Sequence, residues 1–286
     1  MARCNVCFRN CELKDGQSGP CGARIGEGGS VRPLWYGQVS ALALDPIEKK
    51  PLNRFFPGSR ILSVGSLGCN LHCPFCQNHE IAQSEEKRGF PADVRSLSPS
   101  EITALAVGSL PRGNIGVAFT YNEPLVGYEF VRDTAKLVHE AGMRNVLVTN
   151  GTASLEILEE ILPYIDAMNI DLKGFSDRYY TEVLRGSLPM TKAFIREAVK
   201  HCHVELTTLI VPGENDTEQE MLDLSAWVAG LGQVFGGIQG SEIPLHVSRF
   251  FPRWHMADRD ATGVALVYRL ADTARKNLSY VYTGNC

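Results

Sequence analysis

Residues 68–78 read Gly-Cys-Asn-Leu-His-Cys-Pro-Phe-Cys-Gln-Asn, which places three cysteines in one short loop. Cys69, Cys73 and Cys76 follow each other at x3 and x2 spacings, and three such thiolates can hold three irons of a [4Fe–4S] cluster. An electron-transfer cluster normally takes four cysteines, so the fourth iron would stay open for chemistry. Zinc with one further ligand, or a disulfide with one spare thiol, is the alternative for this spacing.

Outward from this loop, short β-branched runs alternate with helical patterns from Arg60 onward. This alternation is typical of βα units and a parallel sheet. The predicted strands are 61–64, 115–119, 145–149, 168–171, 204–211 and 244–248, with a short strand at 280–282. Six strands with intervening helices fit an incomplete (β/α)6 barrel or a doubly wound open sheet, and periodicity does not separate the two.

Capping signals mark the start of two predicted helices. Ser98 and Glu101 predict a capping box, with Pro99 at the first helical position. Thr217 and Glu220 predict a second cap of the same kind.

The first 59 residues differ from the rest, because they are rich in Gly, Cys and Arg and show little periodicity. Cys4, Cys7, Cys11 and Cys21 form a second cysteine set. Four thiolates can close a structural zinc site or hold a second iron–sulfur cluster, and we favour zinc. We expect residues 1–59 to form a metal-binding knuckle with a connecting arm, and residues 60–286 to form the α/β core.

Composition limits the possible partners of the chain. The net charge of −4 gives no reason to expect a nucleic-acid or acidic-membrane partner. No run of 18 apolar residues and no signal-peptide core is present, so we expect a cytoplasmic protein without a membrane partner. In that compartment clustered cysteines usually bind metal. We expect Cys202 to be buried and inert and Cys286 to be a free thiol.

The loop resembles the signature of the radical SAM superfamily, CxxxCxxC, completed by the aromatic Phe75 before the third cysteine. Further segments are similar to the AmmeMemoRadiSam-system radical SAM enzymes, which are relatives of pyruvate formate-lyase activating enzyme. These segments are 45–52 (Asp-Pro-Ile-Glu-Lys-Lys-Pro-Leu), 68–71 (Gly-Cys-Asn-Leu), 76–78 (Cys-Gln-Asn) and 121–124 (Tyr-Asn-Glu-Pro). The resemblance runs from Cys4 to about Asn285, and relatives continue past the position of Cys286.

This resemblance implies a partial (β/α)6 barrel and a [4Fe–4S] cluster on Cys69, Cys73 and Cys76, with S-adenosylmethionine (SAM) chelated at the open iron. It implies an oxidoreductase-type enzyme that cleaves SAM reductively to a 5′-deoxyadenosyl radical, which abstracts hydrogen from a substrate. The substrate is a glycyl residue of a partner protein, as for glycyl-radical activases, or another molecule. The electron donor would be a protein such as flavodoxin or ferredoxin.

The alternative from a different class is a non-catalytic zinc or iron–sulfur adaptor in a larger assembly. For such an adaptor, the run Glu48-Lys49-Lys50 could support docking, although a solvated face is the simpler expectation for it.

Candidate SAM-binding residues follow the predicted strands, because ligands of such barrels gather where the strands end. Asn122 and Glu123 follow the second strand, and a carboxylate suits the methionyl ammonium. The alternative for Glu123 is that it begins the next helix and favours its dipole. The glycines of the Gly-Gly-Glu segment often found in radical SAM enzymes are absent here.

Asp171 and Lys173 end the fourth strand and resemble the Asp-x-Lys pair that lies near SAM in the activating-enzyme branch; a structural ion pair is the alternative. On and after the sixth strand, His246 could act as acid or base and Arg249 could bind a carboxylate. A core histidine with satisfied hydrogen bonds is the alternative for His246. We expect the turns at 149–151 and 211–213 to shape the same pocket.

Overall fold

The computed structural model describes residues 1–83 and 93–286. The strands are β1 (Ala2–Arg3), β2 (Glu12–Leu13), β3 (Arg24–Glu27), β4 (Ser30–Pro33), β5 (Gln38–Val39), β6 (Ala41–Pro46), β7 (Arg60–Gly65), β8 (Arg95–Ser96), β9 (Asn114–Thr120), β10 (Arg144–Thr149), β11 (Ala167–Asp171), β12 (His203–Ile210), β13 (Leu245–Arg249) and β14 (Val281–Gly284). The α-helices are α1 (His79–Ala82), α2 (Pro99–Gly108), α3 (Tyr128–Glu140), α4 (Leu155–Ile161), α5 (Leu188–Ala198), α6 (Glu218–Ala229) and α7 (Val264–Ala274). None of the helices in these ranges is long and apolar enough to cross a membrane.

Eight strands form the main sheet, in the order β6, β7, β9, β10, β11, β12, β13, β14. From β7 to β14 every neighbouring pair is parallel, whereas β6 runs antiparallel to β7. The parallel strands follow chain order without a reversal, which is the winding of a barrel, since a doubly wound sheet reverses its order at a switch point. The predicted α/β partial barrel is confirmed, with β14 adding a seventh parallel strand.

The helix caps agree with the sequence in one case and differ in part in the other. At α2 the Ser98 side chain accepts from the Glu101 amide and the Glu101 carboxylate accepts from the Ser98 amide, so this capping box is complete. At α6 Thr217 accepts from the Glu220 amide. The Glu220 carboxylate, however, accepts from the Phe175 amide at 2.6 Å, so it ties the loop after β11 to the start of α6 instead of closing a box.

The two faces of the sheet pack against different partners, because successive side chains of a strand point to opposite faces. Buried outward residues such as Leu62 and Leu147 belong to the large core beneath the helices. Buried inward residues of the same strands form a separate apolar cluster with residues from the loop between β6 and β7. The members of that inner cluster are Ile47, Leu52, Phe55, Ile61, Ala118, Val146 and Ala167. We call residues 47–55 the floor segment, because they fill the barrel interior near the N-terminal ends of the strands.

The N-terminal hairpins β1–β2 and β3–β4 belong to residues 2–33, which we call the knuckle. The knuckle packs on the barrel and does not stand apart from it. The Ser154 amide donates to the Val6 carbonyl at 2.8 Å, and Cys7 forms a β-bridge with Ala153. Within the predicted connecting arm, β6 is hydrogen-bonded along the whole length of β7 and is therefore part of the main sheet.

Candidate active site

A cavity of about 380 Å³ lies at the C-terminal ends of the parallel strands, and we call it the strand-end cavity. Its wall combines the loop after β7 with residues at or after the ends of β9 to β13. Eight of the predicted site residues line it: Cys69, Cys73, Phe75, Cys76, Asn122, Glu123, Asp171 and Lys173. The structure thus brings together predicted site residues from three separate segments of the chain.

The three cysteines of the loop line this cavity together. Gly68 holds the start of the loop at a φ of +92°, and a Cβ there would lie 2.5 Å from the Cys21 carbonyl oxygen, so only glycine fits. Burial raises the pKa of Cys73 to about 12, although Lys173 opposes this shift. A metal that binds these thiols must therefore displace their protons.

The donor set and its spacing fit an iron–sulfur cluster. Within residues 1–83 and 93–286 no three His, Cys, Asp or Glu side chains are arranged to hold a single metal ion. In a cubane each thiolate binds a different iron, so three cysteines around a shared cavity suit a [4Fe–4S] cluster better than one zinc ion. All nine cysteines are free, which excludes the disulfide interpretation of this loop.

Glu123 is almost fully buried at the wall of the cavity, with 3% of its surface exposed. Its Oε1 accepts from the Leu125 amide at 3.1 Å and from Thr149 Oγ1 at 2.8 Å, and its Oε2 accepts from the Asn150 amide at 2.7 Å. Burial raises the pKa of Glu123 to about 7, against the lowering effect of these bonds. Glu123 therefore caps the turn that begins at Pro124, as the alternative predicted. Three accepted bonds leave one of the four or so acceptor positions of the carboxylate unused, and Glu123 lines the cavity.

Two asparagines fix the loops that form the cavity wall. Asn122 Nδ2 donates to the Gly68 carbonyl at 2.9 Å, and its Oδ1 accepts from the Ser66 amide at 3.0 Å. Asn78 Nδ2 donates to the Tyr121 carbonyl at 2.7 Å. These bonds join the cysteine loop to the segment after β9, so the side-chain amide of Asn122 has a positioning role beside any ligand contact.

Asp171 and Lys173 form an ion pair within the cavity, with Lys173 Nζ 2.9 Å from Asp171 Oδ2. Burial alone would lower the pKa of Lys173, but Asp171 and Cys73 raise it well above its ordinary value. The Lys173 side chain therefore stays cationic beside the three thiols. Asp171 and Lys173 therefore form the ion pair of the alternative interpretation, and the same pair lines the cavity, where the site was predicted.

His246 lies on the inward face of β13, as Ser248 does, but only Ser248 is among the residues that line the cavity. His246 is buried, and its Nε2 lies 2.7 Å from Glu205 Oε2. Glu205 also accepts from the Asn53 and Arg54 amides of the floor segment at 3.0 and 2.7 Å. The structure therefore gives His246 the contacts of a core histidine, one layer below the predicted position at the ligand.

Arg249 is also outside the wall of the cavity. Its Nε donates to the Thr262 carbonyl at 2.7 Å, and its guanidinium lies 4.7 Å from the ring centroid of Phe251. These contacts tie the end of β13 to the loop before α7. Of the two turns expected at the pocket, the one at 149–151 contributes Thr149 and Asn150 to the wall, whereas 211–213 does not contribute.

Sequence reasoning missed a polar group at the barrel edge of the cavity. Lys50 lines the cavity with 3% of its surface exposed, and its Nζ lies 2.9 Å from Asp45 Oδ2. The Tyr121 hydroxyl donates to the same oxygen at 2.8 Å, and Lys50 Nζ lies 4.6 Å from the Tyr121 ring centroid. The expectation of a solvated face is therefore wrong for Lys50, though it holds for Lys49. The motif 45–52 was the available signal, but nothing in its composition indicated burial.

The partial barrel and its three-cysteine loop at the strand ends define a class of enzyme that binds a cluster and a small molecule in one cavity. A family model for the radical SAM superfamily matches residues 63–225. An uncharacterized protein of Methanocaldococcus jannaschii is 39% identical over 289 residues, with 99% of this chain and 81% of that protein covered. The chain belongs to the radical SAM superfamily, and this family implies a [4Fe–4S] cluster and SAM.

Other relatives share less of the sequence. The pyruvate formate-lyase 1-activating enzyme of Escherichia coli is 25% identical over 181 residues, which cover 62% of this chain and 72% of that enzyme. Two solved structures have the same fold. SuiB of Streptococcus suis bound to S-adenosylmethionine has a TM-score of 0.58 at 13% identity, over 79% of this chain and 52% of SuiB. QueE of Escherichia coli has a TM-score of 0.52 at 11% identity, over 87% of this chain and 94% of QueE.

Proposed function

We propose that this chain is an enzyme that holds a [4Fe–4S] cluster on Cys69, Cys73 and Cys76 and binds SAM beside it in the strand-end cavity. The observation that carries the proposal is the shared wall of the cavity, where the three thiols meet Glu123 and the Asp171–Lys173 pair. When bound, the cluster and SAM supply a one-electron reductive cleavage that yields methionine and a hydrogen-abstracting 5′-deoxyadenosyl radical.

The side chains of the wall have complementary tasks toward such a ligand. The one unused acceptor position of Glu123 suits the methionyl ammonium, because a carboxylate forms charge-assisted bonds with an ammonium. Asp171 suits the ribose hydroxyls, and Lys173 holds Asp171 in place at 2.9 Å. Phe75, only 7% exposed, adds an apolar surface that keeps water from the thiols.

Anaerobic reconstitution with iron and sulfide, followed by SAM and dithionite, tests this proposal. We expect the loaded protein to release 5′-deoxyadenosine, measured by liquid chromatography. Cys202→Ala is the matched control, because Cys202 is a buried cysteine remote from the cavity wall, with its thiol 3.7 Å from the Ala198 carbonyl. A protein that carries the cluster, binds SAM and yields no 5′-deoxyadenosine would contradict the proposal.

A narrower activity is favoured by the similarity to the activating enzyme of Escherichia coli. In this version the substrate is a glycyl residue of a partner protein, and flavodoxin or ferredoxin supplies the electron in the cytoplasm. Electron paramagnetic resonance of candidate partners after incubation with the loaded enzyme tests it. A glycyl-radical signal in a partner would support an activase, whereas the absence of that signal from every candidate partner, with hydrogen abstraction from a small molecule instead, would contradict it. A non-catalytic adaptor predicts neither result.

A further inference from the structure

Two groups of side chains stand outside the proposed function. The first is the knuckle set Cys4, Cys7, Cys11 and Cys21, which lines one cavity of about 10 Å³. That volume is about the size of a single water site and is too small for a [4Fe–4S] cluster. The second-cluster alternative therefore loses support, and zinc at these thiols stays a prediction. The second group surrounds Lys50 at the bottom of the strand-end cavity.

The strand-end cavity extends below the residues assigned to SAM. On β12 both Thr207 and Leu209 line it, and successive inward residues of one strand lie at successive levels of the barrel. Val148 also lines the cavity and packs against the inner apolar cluster, so it marks the lower limit of the open space. We call the space bounded by Lys50, Val148 and Thr207 the lower level. The proposed function assigns no ligand to it.

Hydrogen bonds fix the backbone at Lys50 beneath this space. The Lys50 amide donates to the Ile47 carbonyl at 2.9 Å, and Asn169 Nδ2 donates to the Pro51 carbonyl at 2.8 Å. Asn169 Oδ1 in turn accepts from Thr207 Oγ1 at 2.9 Å, so two side chains of the sheet are joined to the floor segment at this point. Lys50 is therefore held in place before a ligand arrives, which reduces the entropy cost of binding.

The ammonium of Lys50 has donors to spare. An ammonium carries three N–H groups, and in the described part of the chain Nζ donates one hydrogen bond, to Asp45 Oδ2 at 2.9 Å. The ring of Tyr121, with its centroid 4.6 Å from Nζ, covers a further side. Lys50 lines the cavity although only 3% of its surface is exposed. Buried donors without an acceptor are unfavourable, and an oxyanion in the lower level would accept from them.

The charges around Asp45 leave an excess of one positive charge. Asp45 Oδ2 pairs with Lys50, and its Oδ1 lies 3.7 Å from the Lys49 ammonium. Burial alone would raise the pKa of Asp45, but its bonds to Lys50 and to the Tyr121 hydroxyl hold it at about 2. One charged carboxylate thus faces two ammonium groups. This excess matches a ligand group with a single negative charge, such as a carboxylate, better than a phosphate dianion.

The backbone of Tyr121 is strained where its ring reaches this group. Its φ is +75°, in the left-handed region that residues other than glycine rarely adopt. Asn78 Nδ2 holds the Tyr121 carbonyl at 2.7 Å, and a Cβ on Gly65 would lie 3.0 Å from the Tyr121 ring, so β7 makes room for it. Backbone strain of this kind clusters at ligand sites.

We propose that the lower level binds the carboxylate of a small-molecule substrate, with Lys50 as its cationic contact. The ligand must fit inside the cavity, because Lys50 is buried beneath it. A glycyl residue within a protein chain carries no charge, so this site favours a small carboxylic acid over the substrate of an activase. The substrate role rests on the proposed function, but the carboxylate site does not.

Matched probes test the site in the cluster-loaded full chain. We expect butyrate to bind more tightly than butyramide, which has the same shape without the charge, by about tenfold or more in nuclear magnetic resonance titrations. Lys50→Met should abolish this preference, whereas Lys49→Met should change it by less than about threefold, because the Lys49 side chain is 68% exposed. An equal affinity for both probes, or an unchanged preference in Lys50→Met, would overturn the proposal.

Asp45→Asn gives a result of the opposite sign. It keeps the Lys50 ammonium and removes its anionic partner, so butyrate should bind about threefold more tightly or better. A purely structural ion pair predicts no such gain, and its absence would overturn the proposal. Where Lys50→Met alone is unfolded by circular dichroism, the double variant with Asp45→Asn removes both charges together. The folded double variant should show no preference for butyrate, and a retained preference would overturn the proposal.

Two further ligands separate the sources of the anion. Methyl phosphate that binds about tenfold more tightly than butyrate would replace the carboxylate by a phosphate and overturn the substrate class. Saturating SAM should leave the affinity for butyrate within about twofold, whereas displacement of butyrate would show that Lys50 binds the carboxylate of SAM itself and would overturn the substrate role. A chain that binds butyrate through Lys50 but does not cleave SAM contradicts the proposed function and the substrate role, and supports the carboxylate site.

Discussion

The two ends of the barrel are built from the same strands but differ in what fills them. At the C-terminal ends the inward residues leave a cavity of about 380 Å³ with polar and cysteine side chains on its wall. Near the N-terminal ends the inward residues close around the floor segment, where Ile47 and Leu52 are fully buried. The comparison shows that the level of a residue along the strand, and not only the sheet face it occupies, decides whether its side chain can reach a ligand or packs in the core.

Buried carboxylates show the same contrast. Glu205 in the floor accepts four hydrogen bonds, two from backbone amides and two from His203 and His246. Burial alone would raise the pKa of Glu205, but these bonds hold it at about 2. Glu123 accepts three bonds and has a pKa of about 7. A carboxylate with every acceptor position used stabilises the fold, and one with a position left can bind a ligand.

The largest effect is expected from the cysteines of the cavity wall. Replacing Cys69, Cys73 or Cys76 individually by alanine should abolish SAM cleavage, because the structure holds no spare thiol on the described wall of the cavity. The measurement is 5′-deoxyadenosine formation together with iron content and circular dichroism. Residual cleavage above a few per cent in any one variant would show that another group completes the cluster site.

A large loss of stability is expected at the floor. Glu205→Gln replaces one of the two carboxylate oxygens by an NH2 group, which donates and does not accept. The backbone amide of Asn53 or Arg54 that bonded to this oxygen therefore loses its acceptor. Leaving a buried donor without its acceptor costs about 1–3 kcal/mol, which urea denaturation measures as a lower free energy of unfolding. In the natural chain the contribution of Glu205 is present above pH 4.5 and is lost as the pH falls toward 2. A loss below about 1 kcal/mol would contradict the stabilising role of Glu205 in the floor of the barrel.

Local patterns in the sequence predicted the strands and the cysteine loop, whereas the choice of a partial barrel over a doubly wound sheet came from the family resemblance. The alternation of β-branched runs with helical patterns predicted the parallel strands between β7 and β13, and the cysteine spacing predicted a metal-binding loop after β7. The depth of His246 and Glu205 in the barrel was not predictable, because period-two alternation gives the face of a residue and not its level relative to the floor segment. Burial of Lys50 depends on β6 joining the sheet, a long-range pairing without a local signal.

A moderate effect on the ligand is expected at Asp171. Asp171→Asn keeps the size of the side chain but removes its charge, and loss of one hydrogen-bonded contact costs about 1–3 kcal/mol. SAM affinity should therefore fall by roughly 5- to 150-fold in the cluster-loaded protein. Isothermal titration under anaerobic conditions measures it, with iron content as the control for an intact cluster. Unchanged SAM affinity would show that the Asp171–Lys173 pair has only a structural role.

A smaller change in SAM affinity is expected when the pH is varied. The pKa of Glu123 is about 7, and a bound ammonium favours its charged form, so SAM binding should release a proton. Affinity should rise with pH and fall by about tenfold from pH 8 to pH 6. Glu123→Gln should weaken binding and flatten this profile. A natural chain whose affinity does not depend on pH in this range would remove Glu123 from the SAM site.

The division of the barrel into two ends is tested most directly by measuring SAM affinity in His246→Gln beside Asp171→Asn. His246 and Asp171 both lie on inward strand faces, but only Asp171 lines the strand-end cavity. A glutamine at 246 can still donate to Glu205, so this variant should stay folded. We expect His246→Gln to bind SAM within about twofold of the natural chain while Asp171→Asn loses at least fivefold. Weak binding in His246→Gln with normal binding in Asp171→Asn would contradict the account.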